Sequence, residues 1–326
     1  MTVKRPSIIV SAPLSAPDRQ QLSATHSLVD APTDNVDPEW LSTQSAIRGW
    51  LVTARQHVQA EHLHALPHPQ AVSTVAVGYD NIDLTAASRR AVRVYNTPDV
   101  LDATVAELAI TLILCLARGI TDADRYVRSG HWHRDGPFGL RSSVHGSTVG
   151  VLGMGRIGAR IASHALALGA NVLYHNRSRS TVAAPDAVYC SRDELFASAD
   201  YVVVAVRCTA ETFNSIGDVE FSLMKPTAAI VNISRGAVVR QDELVQALRS
   251  GTIGGAALDV MTTEPLPADD ALCQLRGVLL TPHIGSATHQ TRRAMTDMAV
   301  TGLVADLAGR PLREPVNTVS LMPQHL

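Results

Sequence analysis

The stretch VGVLGMGRIGAR, residues 149–160, spaces Gly153, Gly155 and Gly158 as G-x-G-x-x-G. An apolar strand pattern precedes it and a helical pattern follows, so each glycine has a physical task. Gly153 permits a tight turn, Gly155 lets backbone approach a pyrophosphate, and Gly158 lets helix and strand pack closely. Arg156 and Ile157 complete the turn, and the free N–H groups of the helix N-terminus favour phosphate. These residues predict a dinucleotide site. An acid that bonds the adenosine ribose belongs about 20 residues on. Asn176 stands there instead, followed by Arg177, Ser178 and Arg179. An amide repels no anion, and two guanidiniums can hold a 2′-phosphate. The stretch therefore predicts a preference for NADP(H), with NAD(H) still usable; the plain alternative is a solvated basic turn.

Three further motifs follow in order: NISRGAVV, ALDVMTTEPLP and LLTPHIGSAT. Alone, each reads as an ordinary turn or surface residue. Together with the glycine turn, VAVGYDNIDL, NTPDVLDATVAELAITLILCLARG and REPVNTV, they resemble the D-isomer-specific 2-hydroxyacid dehydrogenase family across essentially the whole chain. Within it, the proline-aspartate stretch and the missing acid are most similar to glyoxylate/hydroxypyruvate reductases. The resemblance implies that Arg235 holds a substrate carboxylate, that His283 is the general acid-base, and that Glu264 pairs with it. It implies that Val77 and Gly78 offer backbone N–H groups to the carboxylate, and that Arg55 lies among pocket residues. Thr104, Val206, Ile233, Asp259 and Gly285 are implied as cofactor neighbours. Arg207 and Cys208 depart from the family pattern in a loop near the cofactor.

The chemistry suits these residue types. Reducing a 2-keto acid places a hydride on carbon and requires a proton at oxygen, a step within the ordinary range of histidine. A nearby carboxylate favours charged imidazole and fixes its tautomer. An arginine fork matches a carboxylate at two points and polarises the neighbouring carbonyl. Two rivals follow from the same resemblance: an NAD-linked dehydrogenase of another acid such as 3-phosphoglycerate, and a nicotinamide-sensing binding protein or corepressor.

The elements that must position these residues alternate between strand and helix. SIIVSA, GWLVTA, AVSTVAV and VRVYN read as strands of one series; TVGVLG, NVLYH, YVVVAV, AAIVNI, GAALDV and VLLTP form a second. Such alternation predicts parallel sheets covered on both faces. One long helix is expected from about Asp102 to Gly119, burying Val105, Leu108, Leu112 and Leu116. A last helix is expected near 287–309, with a loop from SGHWH to HGS and an extended tail from Arg310. Ser191 and Glu194 form a capping box, and DELVQALRSG stops at Gly251. The expected architecture is α/β, with two doubly wound parallel-sheet domains. By resemblance, a Rossmann cofactor domain at 102–288 is inserted in a flavodoxin-like substrate domain, 1–101 and 289–326. Its active site is expected in a cleft.

The 326 residues carry 46% hydrophobic and 18% charged side chains and a net charge of −2. That balance supports folded cores and gives no reason to expect a nucleic-acid or membrane partner. The longest apolar stretch, 105–117, contains Glu107 and is too short to span a bilayer. The opening residues are too short for a signal peptide. Four dispersed cysteines, without CxxC, predict a reducing cytoplasmic setting. The histidines of EHLHALPH and HWH lack metal-ligand spacing, so no metal is expected. A small 2-keto or 2-hydroxy acid is the expected partner, with a homodimer in which Trp132 resembles a contact residue.

Overall fold

The computed structural model describes residues 5–32 and 36–318. The end of the tail expected to be extended, residues 319–326, lies outside the described residues. The chain divides into two compact units, Met1–Leu101 with Thr288–Leu326, and Asp102–Ala287.

The first unit begins with β1 (Ser7–Val10), α1 (Ala16–Ser23), β2 (Ser27–Asp30), α2 (Pro38–Ser42) and β3 (Ile47–Val52). It continues with α3 (Ala60–Ala65), β4 (Ala71–Thr74), α4 (Leu84–Arg89) and β5 (Arg93–Tyr95). All strand pairs are parallel, in the order β2-β1-β3-β4-β5, the flavodoxin-like order. β2 is an addition to the four expected strands. Its four residues, SLVD, are half-buried or exposed at the sheet edge, so no long apolar run marks it.

The second unit opens with α5 (Asp102–Arg118), α6 (Ile120–Arg128) and α7 (His131–Asp135). Then come β6 (Thr148–Leu152), α8 (Arg156–Ala167), β7 (Asn171–His175), β8 (Val188–Tyr189), α9 (Arg192–Ser198) and β9 (Tyr201–Val204). It ends with α10 (Asp218–Leu223), β10 (Ala229–Asn232), α11 (Gln241–Ser250), β11 (Gly255–Leu258) and β12 (Val278–Leu280). The order β12-β11-β10-β9-β6-β7-β8 is parallel throughout. It reverses direction between β6 and β9. A parallel sheet binds ligands at the carboxyl ends beside such a reversal, and the glycine turn follows β6.

Near-continuous apolar strands bury both faces of this sheet. Val149, Val151, Val203 and Val231 share one cluster with α5 and α8. Val202, Val204, Ile230 and Ala256 share the other with α9, α10 and α11. Ser191 caps α9 by accepting the Glu194 N–H, and α11 ends at Gly251 in the left-handed region.

The long helix falls where it is expected: α5 stops at Arg118 because Gly119 takes a φ of 57° and starts a new helix. Two other expectations need correction. The buried side of α5 is Val105, Ala106, Ala109, Ile110, Leu112, Ile113 and Ala117; Leu108 and Leu116 are only partly buried. Small residues let a helix approach its neighbours closely, and Ala106, Ala109 and Ala117 lie on this buried side. Finally, HWHRD forms α7 rather than loop, although neither α6 nor α7 buries a residue. Among the described residues, no single helix is long and apolar enough to cross a membrane.

The last helix, α12 (His289–Leu307), belongs to the first unit. Ser73 donates to Ala299 O at 3.1 Å. Arg93 grips buried Asp306 with Nε and Nη2 at 2.5 and 2.9 Å, and the Tyr95 hydroxyl donates to the same carboxylate at 2.6 Å. These bonds tie α12 to β4 and β5 and so join the two sequence-distant parts of the first unit.

Candidate cofactor and catalytic site

The glycine turn joins β6 to α8. Gly153 has a φ of 105°, and a Cβ there would lie 2.7 Å from backbone of Ala205 and Val206. A Cβ at Gly158 would lie 2.1 Å from Gly153 O. Any side chain at either position would force the turn open. Gly155 differs, since a Cβ there would meet nothing within 4 Å. It caps α8 without a side-chain bond. Open space beside the free N–H groups of a 12-residue helix is what a dinucleotide pyrophosphate requires; the residues fit that group. Arg156, the first helical residue, is held at Nε by buried Asp102, Oδ2 at 2.8 Å.

Asn176 does not hang free beside the turn. Its Oδ1 accepts the Met154 N–H at 2.7 Å and its Nδ2 donates to Met154 O at 3.3 Å. The Ser180 hydroxyl donates to the same carbonyl at 2.7 Å. Both ends of the 176–180 turn are thus pinned to the glycine turn, while Arg177, Ser178 and Arg179 are exposed between them. Asn176 thus anchors its own turn to the glycine turn. Arg177 Nη1 meets Glu211 Oε2 at 2.9 Å. Arg179 lies over the Tyr189 ring, 5.2 Å from its centroid.

The three motifs that carry Arg235, Glu264 and His283 all leave carboxyl ends of the same sheet. Asn232, at the end of β10, shapes the next loop by accepting the Ser234 N–H at 3.0 Å and donating to Arg235 O at 2.9 Å. Ser234 donates to Val206 O at 2.5 Å, linking this loop to the one after β9. Ile233 lies between, half-buried. Gly236 has no room for a side chain, since its Cβ would lie 1.9 Å from the Met261 carbonyl carbon. That approach explains why glycine follows Arg235 and brings its loop against the one leading to Glu264.

His283 Nδ1 and Glu264 Oε2 are 2.7 Å apart. Glu264 Oε1 accepts the Met261 N–H at 3.0 Å, so both carboxylate oxygens are committed. Burial pushes the Glu264 carboxyl up, but the His283 hydrogen bond and charge, the Met261 N–H and the Arg235 charge together hold it below its ordinary range. Arg235 therefore acts electrostatically on the same carboxylate.

His283 has a φ of 55°, left-handed backbone that a non-glycine residue rarely adopts. Asp259 holds it there. One oxygen accepts Thr281 Oγ1 and the Ile284 N–H, each at 2.7 Å; the other accepts the Gly285 N–H at 2.8 Å. Buried Asp259 is thus a positioning residue for the histidine loop. Thr104 lies half-buried in the first turn of α5.

The structure therefore brings Arg235, Glu264 and His283 into one electrostatic group and the glycine turn against the 176–180 turn. Val77, Gly78 and Arg55 belong to the first unit, after the carboxyl ends of β4 and β3. Val77 O accepts Asn96 Nδ2 at 2.8 Å. Asp102, Ser180, Glu211 and Thr281 were not singled out from sequence. Asp102 lies 54 residues from its partner, and no spacing rule reaches that far.

The family model described as D-isomer specific 2-hydroxyacid dehydrogenase, NAD binding domain, matches residues 110–285. The chain is 42% identical over 257 residues to a glyoxylate reductase of Thermococcus gammatolerans, covering 77% of each chain. It is 37% identical over 321 residues to a glyoxylate/hydroxypyruvate reductase B of Yersinia pestis, covering 96% of this chain and 98% of that protein. Among solved structures, a 2-hydroxyacid dehydrogenase of Ketogulonicigenium vulgare superposes with a TM-score of 0.88 at 32% identity, covering 98% of this chain and 100% of that one. An NADPH-dependent glyoxylate/hydroxypyruvate reductase of Sinorhizobium meliloti, in complex with NADP and malonate, gives 0.87 at 32% identity and 97% of each chain. The chain belongs to the D-isomer specific 2-hydroxyacid dehydrogenase family, whose members are NAD(P)-dependent oxidoreductases.

Proposed function

We propose that the chain uses NADPH to reduce a small 2-keto acid, of the glyoxylate or hydroxypyruvate type, to the D-2-hydroxy acid. The observation that carries the chemistry is the 2.7 Å contact between His283 Nδ1 and Glu264 Oε2. The bound nicotinamide supplies the hydride. With Nδ1–H donated to Glu264, Nε2 is the nitrogen that delivers a proton to the carbonyl oxygen of the substrate. The Met261 N–H keeps the glutamate from turning away, and Asp259 keeps the histidine loop in its strained form. Arg235 holds the substrate carboxylate with its planar fork. Val77 and Gly78, through their backbone N–H groups, and Arg55 are the substrate-binding residues assigned to the first unit.

The cofactor preference rests on the pinned 176–180 turn, which presents two arginines and a serine where a ribose-bonding acid is missing. The related Sinorhizobium enzyme is described as NADPH-dependent, which supports the same reading. Four free cysteines suit a reducing cytoplasm. The uncovered faces of α6 and α7 suit a homodimer.

The test is kcat/KM for glyoxylate, hydroxypyruvate, pyruvate and 3-phosphohydroxypyruvate with each cofactor. Highest efficiency with NADPH and one of the first two is expected. No turnover of any keto acid would sink the enzymatic reading, and an NADH preference would sink the cofactor assignment.

A further inference from the structure

The loop after β9 contains a residue that the cofactor reading does not use. Glu211 Oε2 accepts from Arg177 Nη1 at 2.9 Å. The two are 34 residues apart and belong to loops leaving β7 and β9, on opposite sides of β6 in the sheet order. The side chains are 89% and 69% exposed, so packing holds neither in place. The loop has a fixed backbone of its own: Thr212 Oγ1 accepts the Thr209 N–H at 2.8 Å and donates to Arg207 O at 2.5 Å. Glu211 is thus carried on an ordered turn.

We propose that Glu211 is a specificity-determining residue that competes with the cofactor's 2′-phosphate for Arg177 and so limits the preference for NADPH. The inference rests on the proposed assignment of the 176–180 turn to that phosphate. Its physical basis is charge. Arg177 carries one positive charge, and Glu211 already neutralises it at hydrogen-bond distance. A 2′-phosphate arriving at Arg177 must displace the carboxylate or share the guanidinium while being repelled by it. NADH has no phosphate at that position and meets neither penalty. Ser178 and Arg179 remain as phosphate donors, with Arg179 drawn toward the Tyr189 ring, so the competition lowers NADPH affinity without abolishing it. The alternative role for Glu211, holding Arg177 ready for the phosphate, predicts the opposite sign.

The test measures Kd for NADPH and NADH by fluorescence titration on the full chain. Wild type, Glu211→Gln, Arg177→Ala and the double variant are compared at low and high salt. Glu211→Gln should tighten NADPH by about two- to fivefold, the range of an exposed ion pair, while NADH changes by less than about twofold. The gain should shrink at high salt and should largely vanish in the Arg177→Ala background. Weaker or unchanged NADPH binding in Glu211→Gln overturns the proposal, as does equal tightening of both cofactors or an undiminished gain without Arg177. The cofactor assignment is judged separately, on the wild-type ratio. A wild type indifferent to the 2′-phosphate sinks that assignment as stated. If Glu211→Gln then uncovers an NADPH preference, the competition itself is supported.

Discussion

His283 and Glu264 are 19 residues apart in sequence, and no periodicity pairs them. They were legible because PHIG and EPLP are motifs that occur in a set order; the 2.7 Å bond adds geometry that motifs cannot supply. Asp259 was legible only as a cofactor neighbour, because nothing in ALDV says that its oxygens close on Thr281, Ile284 and Gly285. Replacing His283 by Asn removes the proposed proton donor, so kcat should fall by about 10²–10⁴ while NADPH Kd stays near wild type. Wild-type turnover between pH 6 and 8 would remove His283 from the mechanism. Glu264 has a depressed pKa in the fold. Its pairing therefore contributes stability above its unfolded pKa and loses it as pH falls through the lower, folded value. Glu264→Gln should flatten that acid-side dependence of Tm. It should also lower kcat for keto acids, because the amide no longer offers His283 Nδ1 the carboxylate that orients the ring. An unchanged kcat would argue that the pair is not catalytic. Arg235→Lys keeps the charge but loses the fork, and kcat/KM for keto acids should fall at least tenfold.

At the scale of elements, the strands buried on both faces were legible as apolar runs, and the sheet class followed. β2 and β8 were not. One is a half-exposed run of four residues and the other has only two, too short to carry a period. The loops carry the function, and their shapes depend on close backbone approaches. Gly236→Ala places a methyl group 1.9 Å from the Met261 carbonyl carbon, and neither backbone can yield cheaply. Tm should drop, by about 1–3 kcal/mol of stability, and kcat/KM should fall with it, because the Arg235 and Glu264 loops are forced apart. A variant with native Tm would show that the approach is looser than the structure indicates. The 176–180 turn behaves similarly. Asn176→Asp keeps an acceptor for the Met154 N–H but sets an oxygen against Met154 O, where Nδ2 now donates. It should weaken NADPH both by charge repulsion and by loosening the turn. The double change Arg177→Ala with Arg179→Ala should raise KM for NADPH about ten- to a hundredfold more than for NADH, with most of that difference lost at high salt.

At the scale of the whole molecule, the apolar side chains left uncovered are unevenly distributed. Ile120, Val127, Trp132 and Leu140 are 50%, 52%, 62% and 101% exposed, all within residues 120–140. Scattered apolar residues on a monomer need no explanation. Here α6 and α7 together bury none of their residues, although Ile120 and Val127 stand seven positions apart on one helical face. Two helices with no buried residue have little reason to hold their form in a monomer, since tertiary packing supplies most helix stability. A second copy covering this face would supply it. Light scattering after size exclusion should give twice the chain mass at micromolar concentration, and Tm should rise with protein concentration, because association stabilises the folded form by mass action. Val127→Glu with Trp132→Glu should yield a monomer whose far-UV circular dichroism is lost only in the small part owed to α6 and α7. A wild type that runs as a monomer, with a Tm independent of concentration, would leave these side chains as ordinary surface and remove the homodimer from the proposal.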